Sequence, residues 1–276
     1  GSVSHGAGRT HAAAFGKTKQ YSDIKGVENV EDLFFEFLRV ANEIKPKVII
    51  GENVEGLTMG EAKEYFHKIQ NRFEELGYLV VADVLDASYF GVPQSRRRTF
   101  FIAVREDVAE KVGINFMTMY QLYPDKNNFR TTLGEAINDI VNQDPEEIEY
   151  LNKALGPDKA VGKTLAKMPK DPEKVLSGMD YHDKGHHFNL KRTSRNKPCP
   201  TITAMGNLPG VAGTCHPTEN KELKRIMSLP EDFKLTGKHI KQSERIGRMV
   251  PPLMMKALSE SVYNKVLKPY KEITNG

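Results

Sequence analysis

A short polar segment, Glu52-Asn53-Val54, is the first place where the sequence offers a chemically useful side chain. It follows Lys47–Gly51, a β-branched run without alternation, which predicts a strand buried on both faces of a parallel sheet. Open α/β sheets bind ligands beyond the carboxyl ends of their strands. A carboxyl group there can share a proton with a ring nitrogen of a heterocycle, although most glutamates so placed cap a helix or form an ion pair.

A basic run, Gln94-Ser95-Arg96-Arg97-Arg98, places three guanidinium groups next to an amide. Guanidinium groups bind phosphate oxygens or a carbonyl through paired N–H donors. On the extended backbone expected after Pro93, Arg96 and Arg98 share one face and Arg97 lies on the other. Taken alone, such a run usually indicates a solvated surface.

Three other candidate motifs favour a structural interpretation. The glycines of Gly6–His11 follow no predicted strand and lack the third glycine of a nucleotide loop. Cys199 lies between two prolines with no neighbour that would lower its pKa, so we expect a structural thiol. No metal site is predicted, because the following potential ligands have no recognised spacing: His182, His186, His187, Cys215 and His216.

The elements that must position these side chains alternate between helix and strand, which predicts an α/β domain. The predicted helices are Val30–Ile44 and the segment from Gly60 to Gly77, and the predicted strands are Lys47–Gly51, Tyr78–Val84 and Thr99–Val104. From Glu106 to Pro200 the sequence is polar and loop-rich, with one short helix predicted over Leu133–Ile140. Helical patterns return at Glu222–Met227 and Pro252–Val266.

Composition limits the class of protein. The 276 residues, 39% of them hydrophobic, suffice for one large domain or two modest ones. No apolar stretch approaches a membrane span and no signal-peptide pattern is present, and two cysteines cannot form a disulfide framework, so we expect a cytoplasmic protein without a membrane partner. The net charge of +4 is compatible with a polyanionic partner.

Four segments, in this order, resemble segments of the DNA cytosine-5 methyltransferase family. They are Leu33–Arg39 with Lys45–Lys47 and Glu52–Leu57; Tyr89–Arg98, which resembles the Gln-x-Arg-x-Arg segment; Arg192–Thr203; and Glu222–Phe233 with Ile246–Pro252. The resemblance implies part of a Rossmann-like, S-adenosylmethionine-dependent methyltransferase sheet together with a smaller, loop-rich target-recognition domain. The implied division is 1–105 for the C-terminal half of the catalytic α/β domain, 106–235 for target recognition, and 236–276 for a return segment packed on the catalytic domain.

The resemblance also implies a reaction and the residues that take part in it. The family flips a cytosine out of duplex DNA, adds a cysteine thiolate to carbon 6, and transfers the methyl group of S-adenosylmethionine to carbon 5. Glu52 matches the carboxyl group that acts at the ring nitrogen, and Arg98 or Arg96 matches the arginine at the ring carbonyl. The implied DNA contacts are Ser4, Gln94, Arg97, Arg192, Arg195 and Thr201, and the implied cofactor contacts are Gly247, Arg248 and Met249.

Two departures from the family pattern qualify these expectations. The glycine-rich cofactor loop and the Pro-Cys dipeptide of the nucleophile are not found, and Ser2-Val3-Ser4 resembles residues just after that dipeptide. We therefore expect these residues alone to be inactive and an N-terminal complement to supply the nucleophile. Arg248 stands where an asparagine is usual. A non-catalytic DNA-binding module of the same fold and a transfer RNA cytosine-5 methyltransferase remain open alternatives.

Overall fold

The computed structural model describes residues 30–140, 149, 153, 156–170, 172–185, 190–202 and 220–275, which belong to two compact units. The described part of the first unit consists of residues 30–85, 97–125 and 257–275, and the second lies within 86–96 and 126–256. These limits differ from the predicted division at residues 105 and 235. Residues 106–125 and 257–275 cluster with the first unit, and the short segment 86–96 clusters with the second.

The helices and strands follow one another in the order that the sequence patterns suggest. The helices are α1 Val30–Ile44, α2 Ala62–Glu75, α3 Glu106–Val112, α4 Leu133–Ile137, α5 Ala160–Lys167, α6 Asn220–Ile226, α7 His239–Arg248, α8 Pro252–Val262 and α9 Lys268–Asn275. The strands are β1 Val48–Val54, β2 Tyr78–Asp86, β3 Gln94–Ser95, β4 Arg97–Arg105, β5 Leu176–Ser177, β6 Lys191–Arg192 and β7 Cys199–Pro200. A π-helical turn, Tyr263–Leu267, joins α8 to α9.

The sheet of the first unit has the order β1-β4-β2, and β4 runs antiparallel to β1. The prediction of a parallel sheet at β1 is therefore wrong, because a short apolar run carries no information about the direction of its neighbour. The predicted burial on both faces is also wrong. Only Ile49 and Gly51 of β1 are buried, in alternation, and the other β1 residues are partly exposed.

Helices α1 and α2 supply the core that holds this sheet in place. Phe34 and Phe73 lie against Phe101 of β4, with ring centroids 5.4 and 6.0 Å from it. The strand approaches α1 closely at Gly51, since a Cβ atom at this position would lie 3.0 Å from the Phe34 ring. The apolar face of α1 thus fixes β1, the strand that ends in the Glu52-Asn53-Val54 segment.

The second unit packs three short helices around the β7 region. Its larger core combines residues of α4, α6 and α7 with two residues at and after β7, namely Leu133, Ile137, Leu223, Ile226, Met227, Ile246, Cys199 and Ile202. Strand β3 pairs with β7 in parallel, with Gln94 opposite Cys199. The Gln-x-Arg-x-Arg segment therefore begins inside this unit.

Most of the predicted elements are confirmed, with some shifts at their ends. Helix α1 has the predicted bounds, and α2 is followed by Gly77 at φ +80°, the left-handed conformation that commonly ends a helix. The sequence analysis missed α3, α5, α7 and α9, helices of only 7 to 10 residues. None of the helices within the described part of the chain is long and apolar enough to cross a membrane.

Candidate active site

An ion pair between Glu52 and Arg98 occupies the end of the antiparallel β1–β4 pair. Arg98 Nε lies 3.1 Å from Glu52 Oε1, and the Arg98 and Glu52 side chains are 15% and 31% exposed. Arg98 is the register partner of Val54, and Glu52 is the partner of Phe100. The hydroxyl group of the buried Thr99 donates to the Val54 carbonyl at 3.2 Å, which ties the ends of the two strands together. The backbone therefore fixes both members of the pair.

The electrostatics of this pair favour a charge-assisted contact. Burial lowers the pKa of Arg98, and the negative charges of Glu52 and Glu55 oppose that shift. An arginine remains protonated at neutral pH even with a lowered pKa, so the site keeps a cation beside a carboxyl group. Such a pair offers both an acceptor and several donors to one edge of a flat heterocycle.

Arg97 points away from this pair and makes a more exposed contact. Its guanidinium lies 3.0 Å from Glu55 Oε1, and its side chain is 56% exposed. The alternation predicted for the basic run is thus observed between Arg97 and Arg98. Arg97 is available to a partner at the surface.

Arg96 and Gln94 are internal residues of the second unit. Arg96 is 1% exposed and donates to the Ile202 carbonyl at 2.7 Å and the Gly247 carbonyl at 2.9 Å. The fully buried Gln94 accepts from the Ile202 amide at 3.0 Å. These two side chains join the segments around Ile202 and Gly247, so their observed role is to hold this unit together.

The other predicted DNA contacts are also engaged within the second unit. Arg192 is buried and donates to the carbonyls of Met168 and Pro169. Arg195 donates to Asn138 Oδ1, and the Thr201 hydroxyl donates to the Ser95 carbonyl at 2.8 Å. Ser4 lies outside the described residues, and its DNA contact stays a prediction together with those of Gln94, Arg97, Arg192, Arg195 and Thr201.

Cys199 has the properties of a structural thiol. It is fully buried in the second unit, and burial, aided by the charge of Glu222, raises the pKa of the thiol. A nucleophilic cysteine needs an accessible thiolate, so Cys199 does not meet the requirement. Cys215, His186, His187 and His216 lie outside the described residues. Within the described part of the chain, no cluster of three metal-ligating side chains occurs.

The three predicted cofactor contacts, Gly247, Arg248 and Met249, lie at the end of α7. The Gly247 carbonyl already accepts from Arg96, and the exposed Arg248 lies 2.7 Å from Glu244 Oε1. Met249 follows the end of α7 and packs against the core of the second unit. The Gly247 carbonyl and the Arg248 guanidinium are thus engaged inside the protein, and contact of these three residues with S-adenosylmethionine stays a prediction.

The second unit contains a cavity of about 440 Å³ that no sequence motif predicted. Its lining comes from Ser95, Arg130, Thr132, Val175, Thr193, Ser194, Asn196, Lys197 and Pro198. These residues come from separate segments of the chain, so no motif spacing could have pointed to the cavity. Only the fold brings Arg130 close to Lys197.

Comparison with known proteins gives one consistent result. A sequence model of the family described as C-5 cytosine-specific DNA methylase matches residues 14–264. The type II methyltransferase M.NgoFVII of Neisseria gonorrhoeae is 31% identical over 84% of this chain and 62% of its own length, and M.Eco47II of Escherichia coli is 30% identical over 90% and 60%. The chain therefore spans about three fifths of the length of these curated relatives.

A solved structure shows the same fold. The Entamoeba histolytica methyltransferase EhMeth superposes with a TM-score of 0.52 at 18% identity, over 92% of this chain and 73% of that one. The described sheet is thus part of a Rossmann-like methyltransferase fold, as the resemblance implied. With the family match over residues 14–264, this chain belongs to the C-5 cytosine-specific DNA methylase family.

Proposed function

We propose that this chain binds a flipped cytosine of duplex DNA through Glu52 and Arg98 and serves in the transfer of a methyl group to its carbon 5. The observation that carries the proposal is the 3.1 Å ion pair between these side chains at the end of β1 and β4. The names of the curated relatives, type II methyltransferases, support assignment to that class of modification enzyme.

The chemistry of cytosine matches the pair. Cytosine presents an amino group, a ring nitrogen and a carbonyl along one edge, which suits a carboxyl group followed by a guanidinium group. Addition of a thiolate to carbon 6 moves electron density onto the ring nitrogen. A proton or hydrogen bond held there by Glu52 stabilises that charge, and Arg98 at the ring carbonyl offsets the remainder.

The burial of Arg96 favours Arg98 in this role. Arg96 donates to two backbone carbonyls and is 1% exposed, whereas Arg98 is partly exposed and lies beside Glu52. S-adenosylmethionine would supply the methyl group, as family membership implies. The roles proposed for Glu52 and Arg98 concern the cytosine, and contact of residues 247–249 with the cofactor stays a prediction.

We also propose that the nucleophile comes from a segment other than the Cys199 region, in an N-terminal complement that carries a Pro-Cys dipeptide. The buried thiol of Cys199, with its raised pKa, supports this view. A second observation is an apolar stripe on α1 that faces solvent, formed by Leu33, Phe37, Val40 and Ile44, which are 53%, 40%, 43% and 69% exposed. Such a stripe is suited to packing against a further part of a catalytic domain.

The experiment measures transfer of a radiolabelled methyl group from S-adenosylmethionine to long, mixed-sequence duplex DNA. The 276-residue chain is assayed alone and after addition of an N-terminal segment carrying the Pro-Cys dipeptide. Activity is expected only with that segment. Glu52→Gln should then reduce turnover at least ~100-fold, the range expected for a lost general acid, with little change in DNA affinity.

Glu55→Gln is the matched control, because Glu55 forms its ion pair with the exposed Arg97 and acts on Arg98 only through its charge. It should keep turnover within about threefold of the parent chain, as is usual for an exposed ion pair. Near-parental turnover of Glu52→Gln would remove Glu52 from the mechanism. DNA binding without transfer in any arm would favour a non-catalytic module, and transfer to transfer RNA in place of DNA would select the RNA-methylating alternative.

A further inference from the structure

The ion pair between Glu52 and Arg98 is a diagonal contact across two antiparallel strands. In the register of β1 and β4, Glu52 lies opposite Phe100, and Arg98 lies opposite Val54. Diagonal neighbours of this kind are typically about 7 to 8 Å apart, so only long side chains bridge them. The 3.1 Å contact between Arg98 Nε and Glu52 Oε1 therefore depends on how the two strand ends are placed relative to each other.

A buried hydroxyl group joins the two strands at this point. Thr99 follows Arg98 in β4 and is fully buried, and its Oγ1 atom donates to the Val54 carbonyl at 3.2 Å. Val54 is the last residue of β1 and the residue opposite Arg98. The hydrogen bond therefore holds the end of β1 against the part of β4 that carries the guanidinium group.

A second side chain holds the same residue from within β1. Asn53 lies opposite Thr99 in the register, and its Oδ1 atom accepts from the Val54 amide at 2.8 Å. The amide and the carbonyl of Val54 are thus both bound by the side chains of one cross-strand pair. Because successive side chains of a strand point to opposite faces, this pair lies on the face opposite Glu52 and Arg98. Thr99 is buried there and acts on the ion pair only through the backbone.

The strand pair needs such support because it ends at this position. Val54 and Arg98 form the last pair of the β1–β4 register, and a 3-10 turn begins directly afterwards at Glu55. The ion pair between Glu55 and Arg97 lies beyond this point, but its arginine is 56% exposed, and exposed ion pairs contribute little. Strand ends open more readily than strand centres, so the Thr99 hydrogen bond stabilises the part of the ladder that is most prone to open.

We propose that Thr99 is a positioning residue for cytosine recognition, because its hydroxyl group holds the two strand ends at the spacing that Glu52 and Arg98 require. The proposal rests on the proposed function, in which these two side chains bind one edge of the base. Groups that act on neighbouring atoms of one ring tolerate little displacement, since an error of about 1 Å can cost about 100-fold in rate. Loss of the hydroxyl group would leave both charged groups in the chain and change their relative position.

The first test measures methyl transfer to duplex DNA by the complemented enzyme, with enzyme concentrations corrected for the folded fraction. Thr99→Val keeps the shape of the side chain and removes the hydroxyl group, and it should lower turnover about tenfold because the base is held in a less productive position. The affinity for DNA should change less than about twofold, since phosphate contacts supply most of it. Thr99→Ser keeps the hydroxyl group and should restore turnover to within about threefold of the parent enzyme.

Two further variants separate positioning from a general loss of stability. Thr58→Val is the matched control, because the Thr58 hydroxyl donates to the Glu55 carbonyl at 2.9 Å within one turn and joins no two strands. It should keep turnover within about twofold of the parent enzyme. Added to Arg98→Ala, Thr99→Val should lower turnover by less than a further twofold or so, because the spacing between the two charged groups no longer matters.

The second test uses the 276-residue chain alone and requires no methyl transfer. The Nε–H group of Arg98 gives a proton–nitrogen NMR signal, which is assigned by its loss in Arg98→Lys. Thr99→Val should raise the exchange rate of this proton with water about threefold or more, and Thr58→Val should leave it within about twofold. Thr99→Ala, a smaller variant that also lacks the hydroxyl group, should give the same result as Thr99→Val.

The outcomes distinguish this proposal from the proposed function. Equal losses of turnover in Thr99→Val and Thr58→Val, or unchanged exchange at Arg98 Nε in Thr99→Val, would overturn the positioning role and leave the proposed function intact. A Thr99→Val loss that persists in full in the Arg98→Ala background would also overturn it, since Thr99 would then act by another route. Near-parental turnover of both Glu52→Gln and Arg98→Ala would overturn the proposed function, and the role of Thr99 with it.

Discussion

Arg96 and Arg98 stand two positions apart in one basic run, yet they serve different compact units in opposite ways. Arg96 is buried in the second unit and donates to two main-chain carbonyls, whereas Arg98 lies in the first unit beside a partly exposed carboxyl group. Carbonyl partners are fixed parts of the backbone, and their hydrogen bonds would have to break before Arg96 could reach a ligand. The partner of Arg98 is the carboxyl side chain of Glu52, which can contact the same ligand as Arg98 without a change in the backbone.

This comparison shows that residue type and spacing do not separate a structural arginine from a ligand-binding one. What separates them is the kind of partner and the exposed fraction of the side chain. A buried guanidinium that satisfies carbonyls contributes to folding, because its removal leaves those carbonyls without donors. A guanidinium at a rim, next to a carboxyl group, contributes to binding.

The largest expected effect is on folding, from Arg96→Ala. Two buried carbonyls, those of Ile202 and Gly247, would lose their donor. At about 1 to 3 kcal/mol for each unsatisfied group, the free energy of unfolding should fall by about 2 to 6 kcal/mol. Urea denaturation followed by circular dichroism measures this change.

Arg98→Ala is the control for that experiment and should lower the free energy of unfolding by less than Arg96→Ala does, because the carboxyl group that it leaves without a partner is 31% exposed to water. Equal losses from the two substitutions would contradict the division of roles between the arginines.

The next effect in size is on catalysis, from Arg98→Ala in the complemented enzyme. Loss of a charged donor at the ring carbonyl should cost about 2 to 4 kcal/mol of transition-state stabilisation, which corresponds to about 30- to 1000-fold in turnover. Single-turnover methyl transfer measures it, with enzyme concentrations corrected for the folded fraction. If Arg96→Ala shows this loss after the correction and Arg98→Ala does not, the two roles are exchanged.

Cys199 should affect stability without affecting methyl transfer. Cys199→Ser places a more polar hydroxyl group at a fully buried position, and we expect a loss of about 1 to 3 kcal/mol in the free energy of unfolding with unchanged turnover per folded, complemented enzyme. Loss of turnover in Cys199→Ser, with trapping of a covalent adduct on DNA containing 5-fluorocytosine, would make Cys199 the nucleophile.

The raised pKa of Cys199 adds a pH dependence to this comparison. Its thiol stays protonated in the folded chain above 9.0, the ordinary value, while the unfolded chain loses the proton. Folding stability from this group is therefore complete below pH 9.0 and falls as the pH rises above it, by up to about 1.4 kcal/mol per pH unit. Cys199→Ala has no thiol, so its free energy of unfolding should decline less above pH 9.0 than that of the unsubstituted chain. Urea denaturation at several pH values measures the difference.

The sequence sufficed for those parts of the fold that depend on local patterns. The amphipathic period of α1 and the glycine after α2 were enough to predict these helices. The direction of β4 against β1 could not be predicted, because strand pairing depends on distant residues. The short helices α3 and α5 were likewise not predicted, since few of their residues face a core.

The same limit applies to the candidate site. Resemblance to a family singled out Glu52, Arg96 and Arg98 together, and only the contacts of the folded chain distinguish Arg96 from Arg98. The cavity lined by Arg130, Thr193 and Lys197 has no sequence signal at all. Side chains from separate segments meet there only after folding, so spacing along the chain carries no information about them.

The smallest expected effect comes from Arg97, the third arginine of the run. Its guanidinium is more than half exposed and contacts Glu55 at the surface, so Arg97→Ala should change the free energy of unfolding by no more than about 0.5 kcal/mol. If Arg97 contacts a phosphate, as the resemblance implies, the same substitution should weaken DNA binding about threefold and lower the salt slope by about 1, with turnover at saturating DNA unchanged. Urea denaturation and anisotropy titrations on one preparation measure both quantities. A loss of stability as large as that of Arg96→Ala would show that exposure does not separate the arginines of this run, and the comparison between Arg96 and Arg98 would then lose its physical basis.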